Sequence, residues 1–142
     1  MTLNILVVDD SLPMRKVIKK TIKASGFASA EYAEAADGIE ALKVLAEKWV
    51  DIVVTDYNMP NMDGMALIAE MKKDETLSTI PVLVITTEGS KSKVEEFASI
   101  GAAGYIKKPF TPEAIRTKLH EILGEVNDDD EGFETENDDF DF

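Results

Sequence analysis

Apolar residues fall into short runs that alternate with longer segments of helical periodicity throughout residues 1–124. Three of the short runs, with the sequences ILVV, IVVT and VLVI, are almost continuously apolar, as parallel strands covered on both faces tend to be. Two weaker runs have the mixed character of edge strands. The sequence therefore predicts five strands, over residues 4–8, 28–33, 52–55, 82–86 and 104–107.

A helical pattern follows each predicted strand. Capping residues and glycines mark the helix ends, and one helix start combines a cap, a first-turn proline and an acid. Five βα units in strict alternation predict an α/β fold with a parallel sheet and helices on both faces. The main end signals are Gly26 after the first helix, Asp63-Gly64 before the third, Ser90 and Gly101 around the fourth, and Thr111-Pro112-Glu113 and Gly124 around the fifth.

The composition changes sharply after Gly124. Residues 125–142 carry ten acidic residues, three phenylalanines and no lysine or arginine, whereas residues 1–124 hold 18 acidic against 15 basic residues. We therefore expect one folded domain over residues 1–124 and a disordered acidic tail over residues 125–142. The tail is either a solubilising end or a short motif that docks on a partner or on the protein's own lysine-bearing output face.

Composition also excludes several classes of protein. Because the chain has no cysteine, disulfides, zinc–thiolate sites and cysteine nucleophiles are excluded. No apolar run approaches the roughly 18 residues that a membrane span needs, and the N-terminus lacks the pattern of a signal peptide. We expect a cytoplasmic protein with no membrane partner. With a net charge of −13 and no basic cluster evident in the sequence, we also expect no nucleic-acid partner.

Chemically active side chains follow four of the predicted strands. Asp9 and Asp10 come after the first, Asp56 after the third, Thr86 ends the fourth and Lys108 follows the fifth. Parallel sheets place their sites at the carboxyl ends of the strands, so these groups can converge. Three carboxylates in a small volume need a cation, and hard oxygen ligands suit Mg²⁺. One carboxylate could then attack phosphorus, with an ammonium and a hydroxyl on the phosphoryl oxygens. Any one of these acids taken alone is more often a turn former or a helix cap.

Four motifs stand out around these chemically active residues. They are Val8-Asp9-Asp10-Ser11, Thr55-Asp56-Tyr57-Asn58-Met59-Pro60-Asn61-Met62-Asp63-Gly64, Ile85-Thr86-Thr87-Glu88 and Gly101-Ala102-Ala103-Gly104-Tyr105-Ile106-Lys107-Lys108-Pro109-Phe110. In their order and spacing, and over residues 3–123, they resemble the receiver domains of response regulators in two-component signalling. The resemblance implies a doubly wound, flavodoxin-like sheet of strand order 2-1-3-4-5 with five helices.

The family's roles carry over to the matching positions. Asp56 is the implied phosphoacceptor, and the implied ligands of Mg²⁺ are Asp9, Asp10, Asp56 and the backbone carbonyl of Asn58. Phosphoryl binding and switching fall to Thr86, Lys108 and Tyr105, and the Lys108–Pro109 peptide is implied to be cis. Asn58 and Glu88 would tune the rate of dephosphorylation. The implied partner face, on the fourth helix, fifth strand and fifth helix, includes Lys91, Val94, Tyr105 and Lys118.

Asn58 and Glu88 also resemble their counterparts in the stand-alone chemotaxis members of the family, although Lys107 stands where those members often have an aliphatic residue. We therefore expect a monomeric regulator that is phosphorylated by a sensor histidine kinase of the chemotaxis type. Its expected partners are a downstream protein, such as a flagellar motor switch protein, and a phosphatase. No effector domain is expected, and the chain is not expected to be an enzyme beyond self-phosphorylation and autodephosphorylation.

Two alternatives remain open from the sequence. The protein could be a phosphate sink or a phosphorelay intermediate for an output other than flagella. It could also be a Mg²⁺-dependent phosphohydrolase with an aspartyl nucleophile. The second alternative is disfavoured because such enzymes need a second acid two residues after the nucleophile, and that position is Asn58.

Overall fold

The computed structural model describes residues 2–87 and 89–124. It contains a five-stranded parallel sheet with the order β2-β1-β3-β4-β5, which confirms the predicted fold and strand order. The two weak apolar runs are the edge strands, as expected. In chain order the elements are β1 (Asn4–Val8), α1 (Leu12–Ile22), β2 (Glu31–Ala35), α2 (Gly38–Glu47), β3 (Ile52–Asp56), α3 (Gly64–Lys72), β4 (Val82–Thr86), α4 (Lys91–Ser99), β5 (Gly104–Lys107) and α5 (Pro112–Leu123).

Two hydrophobic layers cover the faces of the sheet. Side chains of a strand alternate between its faces, so β1 supplies Leu6 and Val8 to one layer and Ile5 and Val7 to the other. The first layer packs under α2, α3 and α4, and the second packs under α1 and α5. The central strands are therefore apolar on both sides, which is the pattern seen in the sequence.

Side-chain caps begin all five α-helices. In each case the oxygen of the capping residue accepts a hydrogen bond from the backbone N–H three residues later, which satisfies a donor that the first turn leaves unpaired. The predicted caps at Ser90 and Thr111 are confirmed. The five capping residues are Ser11, Asp37, Asp63, Ser90 and Thr111.

The prediction for the second strand was wrong in its bounds. The chain continues from α1 into a wide helical turn, Lys23–Phe27, in which Gly26 has a φ of 112°. The Ala30 N–H then donates to the Phe27 carbonyl, so residues 28–30 form a turn and β2 starts at Glu31. The periodicity of the sequence did not reveal this turn, since Ala28 to Ala30 suit a strand as well as a turn.

Three predictions fall outside the described residues: the disorder of the acidic tail at 125–142, the boundary of that tail, and the role of Glu88. Within residues 2–87 and 89–124, no helix has the length and apolar character needed to span a bilayer.

Candidate functional site

Three carboxylates meet at the carboxyl edge of the sheet. Asp9 and Asp10 follow β1, and Asp56 is the last residue of the neighbouring strand β3. One oxygen from each carboxylate lies within 4.8 Å of the others. Asp10 is exposed, Asp56 is partly buried and Asp9 is almost completely buried. The sequence predicted this convergence from the topology of parallel strands.

Asp9 carries an unsatisfied buried oxygen. Its Oδ1 accepts a hydrogen bond from the Ser11 N–H at 2.9 Å, but its Oδ2 is buried without a hydrogen-bond partner among the described residues. Burial raises the pKa of the Asp9 carboxyl above its ordinary value, and the nearby carboxylates of Asp56 and Asp10 add to the rise. A buried anion of this kind needs a cation, so the donor set fits a hard divalent ion such as Mg²⁺.

Lys108 is the cation that faces this cluster. Its Nζ lies 3.4 Å from Asp56 Oδ1 and 3.7 Å from Asp9 Oδ2. The Tyr57 N–H also donates to Asp56 Oδ1 at 2.8 Å, so that oxygen is held from two sides. The other oxygen of Asp56, Oδ2, accepts none of the hydrogen bonds found among the described residues. One carboxylate oxygen is therefore fixed, and the second has no hydrogen-bond partner among residues 2–87 and 89–124.

The ends of β4 and β5 complete the edge of the site. Thr86 is the last residue of β4 and is 1% exposed, and its carbonyl accepts a hydrogen bond from the Lys108 N–H at 2.7 Å. The Lys108–Pro109 peptide bond is cis, as the resemblance implies. Thr86 at the end of β4 and Lys108 directly after β5 are thus held next to each other by a backbone hydrogen bond.

The loop between β3 and α3 is held against the start of α2. Asn61 adopts the left-handed conformation, with a φ of 66°, and its Nδ2 donates to Asp37 Oδ2 at 2.7 Å. The Gly64 N–H donates to the Tyr57 carbonyl, and a Cβ on Gly64 would lie 2.5 Å from the Asp56 carbonyl oxygen. Only glycine permits this close approach. Asn58, two residues after Asp56, lies on this loop with an exposed side chain.

A row of three aromatic rings leads from the site to β5. The Tyr57 ring packs edge-on against Phe97 of α4 with centroids 5.5 Å apart, and the Phe97 and Tyr105 centroids are 6.4 Å apart. Lys93 of α4 also donates to the Tyr57 hydroxyl at 2.7 Å. Sequence analysis missed Tyr57, Phe97 and Lys93 as parts of the site. Phe97 could have been found as the one aromatic residue in a helix of mostly polar and charged residues.

The predicted partner face lies on neighbouring elements at the β5 edge of the sheet. Lys91 is exposed and Val94 is half-buried on α4, Tyr105 is half-buried on β5, and Lys118 lies on α5. Lys118 forms an ion pair with Glu121 at 3.3 Å. The fold thus brings these four residues to one edge, and their role in binding a partner stays a prediction.

Comparisons with known proteins agree with this architecture. Residues 5–120 match the response regulator receiver domain family. The chain is 40% identical over 125 residues to the chemotaxis protein CheY of Pseudomonas aeruginosa, covering 88% of this chain and 99% of that protein. It is 42% identical over 121 residues to the chemotaxis protein CheY-3 of Vibrio cholerae, covering 85% of this chain and 92% of that protein.

The solved structures support the same assignment. The chemotaxis response regulator CheY4 of Vibrio cholerae superposes with a TM-score of 0.78 at 33% identity, covering 87% of this chain and 100% of that one. The sheet order, the acidic cluster and the match over residues 5–120 agree with one another. This chain therefore belongs to the response regulator receiver domain family of two-component signalling, and chemotaxis proteins named CheY are among its relatives.

Proposed function

We propose that this protein accepts a phosphoryl group on Asp56 from a sensor histidine kinase, and that phosphorylation switches its binding to a partner protein in the control of chemotaxis. The observation that carries the proposal is the state of Asp56. One of its oxygens is held by Lys108 and the Tyr57 N–H while the other accepts no hydrogen bond among the described residues. The names of the relatives support the assignment to chemotaxis.

The residues that would hold Mg²⁺ in this proposal are Asp9, Asp10 and Asp56, with the backbone carbonyl of Asn58. The unsatisfied buried oxygen of Asp9 and the raised pKa of its carboxyl both support a cation there. When bound, Mg²⁺ neutralises part of the charge of the carboxylates and of the incoming phosphoryl oxygens. Asp9 and Asp10 act by holding a cation at a fixed place beside Asp56.

Asp56 acts as the nucleophile. One oxygen of its carboxylate forms a bond to phosphorus while the bond from phosphorus to the imidazole nitrogen of the kinase histidine breaks, and the bonding electrons stay on that nitrogen. The Lys108 ammonium already lies beside Asp56 and pairs with the negative oxygens of the transferred group. The Thr86 hydroxyl, at the end of the adjacent strand, supplies a hydrogen bond to the same group.

The aromatic row offers a route from the site to the partner face. Phosphorylation adds charge beside Thr86 and Lys108, which favours an arrangement of α4 and β5 in which these side chains meet the new oxygens. Tyr57 and Tyr105 both pack on Phe97, so a shift at the site changes the packing of α4 and of β5. Lys91, Val94, Tyr105 and Lys118 then present an altered surface to the partner.

The first test is phosphorylation by acetyl phosphate with Mg²⁺, followed by intact mass. The wild type is expected to gain one labile phosphoryl group, and Asp56→Asn is expected to gain none. Asp74→Asn is a matched control, because it removes an exposed carboxylate that only caps a short turn before β4. Absence of any adduct on the wild type, or an adduct that persists in Asp56→Asn, would contradict the proposal.

A second test examines Mg²⁺ binding at Asp9 independently of phosphorylation at Asp56. A carboxyl whose pKa is raised by folding destabilises the folded state above its ordinary pKa, and asparagine cannot ionise. Without Mg²⁺ at neutral pH, Asp9→Asn should therefore raise the free energy of unfolding. With Mg²⁺ the wild type should gain more stability than the variant. Equal stabilisation of the two proteins by Mg²⁺, measured in urea, would argue against a site at Asp9.

The partner and the alternatives are tested together. Wild type treated with beryllium fluoride and Mg²⁺, a mimic of the phosphorylated state, is compared with Asp56→Asn treated in the same way. A switch gains a binding protein on activation, whereas a phosphate sink gains none. We also propose that the chain does not turn over exogenous phosphoesters, and steady hydrolysis of such an ester that is lost in Asp56→Asn would favour a phosphohydrolase instead.

A further inference from the structure

Helix α1 is basic along its whole length. It carries Arg15, Lys16, Lys19 and Lys20, and Lys23 follows in the next turn, yet no acidic residue occurs anywhere in residues 11–30. Each of the other four α-helices in the described part of the chain contains at least one glutamate. Sequence analysis did not recognise this basic segment because its five cations are spread over residues 15–23 between apolar residues.

The four cations within α1 divide into two groups. Arg15 and Lys19 both bind the Glu34 carboxylate of β2, on the side of the helix that faces the sheet edge. Lys16 and Lys20 are exposed, and neither forms an ion pair with any of the described residues. Their charges are therefore directed to the solvent without a partner in residues 2–87 and 89–124.

The solvent side of α1 has further exposed groups beside these lysines. Lys23 is exposed with its Nζ 5.3 Å from the centroid of the Tyr32 ring. Val17 directly follows Lys16 and lies about one helical turn before Lys20, and its side chain is 50% exposed. We call Lys16, Val17, Lys20 and Lys23 the α1 basic face. It combines three cations with one exposed aliphatic side chain.

The described chain ends close to this face. Helix α5 packs against α1 and against the Lys23–Phe27 turn, and the His120 ring lies 5.8 Å from the Phe27 ring. Both helices run from the carboxyl edge of the sheet to its amino edge, so Gly124 lies at the same edge as Lys23. Residues 125–142 can span at most about 60 Å, while the 11 residues of α1 are about 16 Å long. The segment that follows Gly124 is thus long enough to reach every residue of the α1 basic face.

We propose that residues 125–142 of this chain dock on the α1 basic face. The segment has ten carboxylates, no cation and three phenylalanines, so its chemistry complements three lysines and an exposed valine. Attachment through α5 gives the segment a high local concentration at this face, of millimolar order for a short flexible connection. Docking is electrostatic and therefore weakens as salt is raised.

The lysines at the β5 edge are a less suitable site for the same segment. Lys93 forms an ion pair with Glu96, and Lys118 forms one with Glu121, so two of these cations are already matched. Lys91 and Lys107 are exposed and form no ion pair with the described residues, but they lie on the same elements as these acids or beside them. Their acidic neighbours on α4 and α5 would repel a chain of ten carboxylates. Helix α1 has no acid of its own, and Glu34 of the neighbouring strand β2 is already shared by Arg15 and Lys19.

Paramagnetic broadening in the full chain tests the proposal. Because the sequence has no cysteine, Asp139→Cys provides a unique position for a nitroxide label. In low salt the label is expected to broaden the amides of residues 15–24 several-fold more than those of α2 and α3. This preference should disappear at about 1 M salt, where the Debye length is only about 3 Å. Broadening that is uniform, or strongest on α4 and β5, would overturn the proposal.

Charge variants and a mixed sample complete the test. Lys16→Gln/Lys20→Gln/Lys23→Gln should abolish the preference for α1, whereas Lys43→Gln/Lys48→Gln/Lys73→Gln, with the same change of charge on other helices and loops, should retain it. In a mixture of labelled, isotope-free chain with isotope-enriched, unlabelled chain, equal broadening of α1 would assign the contact to a second copy and reject docking within one chain. If α1 is not broadened but shifts on addition of a DNA duplex or anionic lipid vesicles, the face serves that class of partner instead.

Discussion

The two flanks of the Asp56 site are built differently. On the α2–α3 flank, the loop after Asp56 is held by the Asn61–Asp37 hydrogen bond and by the close approach of Gly64. Helix α3 then buries three large side chains, Leu67, Ile68 and Met71. On the α4 flank, the whole of α4 buries a single side chain, that of Phe97. The same sheet therefore supports one firmly attached flank and one weakly attached flank.

This difference indicates where the molecule can respond to a charge placed at Asp56. Local opening is favoured where few apolar side chains are buried, and elements that move in switching come from such regions. The α2–α3 flank keeps Asp56 and its neighbours at a fixed geometry, whereas α4 can repack around Phe97 at small cost. We expect motion to be concentrated in α4 and β5, which is also the side of the predicted partner face.

Among variants that test the difference between the α4 flank and the α2–α3 flank, Phe97→Ala should have the largest effect on stability. Removing a buried phenylalanine should lower the free energy of unfolding by about 3–5 kcal/mol. Because Phe97 is the only buried side chain of α4, hydrogen exchange of residues 91–99 should become fast through local opening. Leu67→Ala on α3 is the control: it should cost a similar amount, about 2–5 kcal/mol, yet leave α3 attached through Ile68 and Met71. Equal local opening of α3 and α4 in their respective variants would remove the distinction between the flanks.

A smaller effect is expected from Asn61, which holds the α2–α3 flank. Asn61→Ala loses the hydrogen bond to Asp37 and places alanine in the left-handed region, so the free energy of unfolding should fall by about 1–3 kcal/mol. Asn61→Gly loses the same hydrogen bond but not the backbone preference, and should be about 1 kcal/mol more stable than Asn61→Ala. Urea unfolding measures both variants.

Asn61→Ala and Asn61→Gly should also change the pKa of the Asp37 carboxyl. The hydrogen bond from Asn61, followed by that from the Glu40 N–H, holds the pKa of the Asp37 carboxyl below its ordinary value. Both variants should therefore raise the pKa of Asp37, as followed by the chemical shift of its carboxyl carbon. An unchanged pKa in either variant would show that Asn61 does not stabilise the Asp37 carboxylate in solution.

The fold and most of the site were predictable because their signals are strong and local. Continuous apolar runs identify buried parallel strands, and capping residues identify helix starts such as Thr111. The convergence of Asp9, Asp10 and Asp56 follows from the placement of each acid at a strand end. Sheet topology alone then brings them within 4.8 Å.

The features that could not be predicted depend on packing between distant segments. The aromatic row joins Tyr57, Phe97 and Tyr105, which lie far apart in the sequence and meet only when α4 packs beside β5. The turn before β2 depends on the wide helical turn over Lys23–Phe27 and on the hydrogen bond from the Ala30 N–H to the Phe27 carbonyl, and no residue pattern distinguishes these from a helix that simply stops at Gly26. The sharing of Glu34 by Arg15 and Lys19 likewise depends on how α1 lies beside β2.

The smallest effect concerns the ion pairs of Glu34 with Arg15 and Lys19. They join β2 to α1 on the side of the molecule away from α4. Hydrogen bonds from Lys19 and Arg15 lower the pKa of the Glu34 carboxyl. A carboxyl with a lowered pKa stabilises the folded state above its ordinary pKa, and this contribution is lost as the pH falls through the folded-state value. Glu34→Gln should therefore reduce the free energy of unfolding by up to about 1 kcal/mol at pH near 7. The deficit should shrink as the pH falls below the ordinary glutamate pKa of about 4.3.

Glu31→Gln, an exposed position on the same strand, is the control and should show no such pH-dependent deficit. A deficit in Glu34→Gln that is the same at pH near 7 and in acid would mean that the charge of Glu34 does not contribute, and would leave Asn61 and Gly64 as the attachments that distinguish the two flanks.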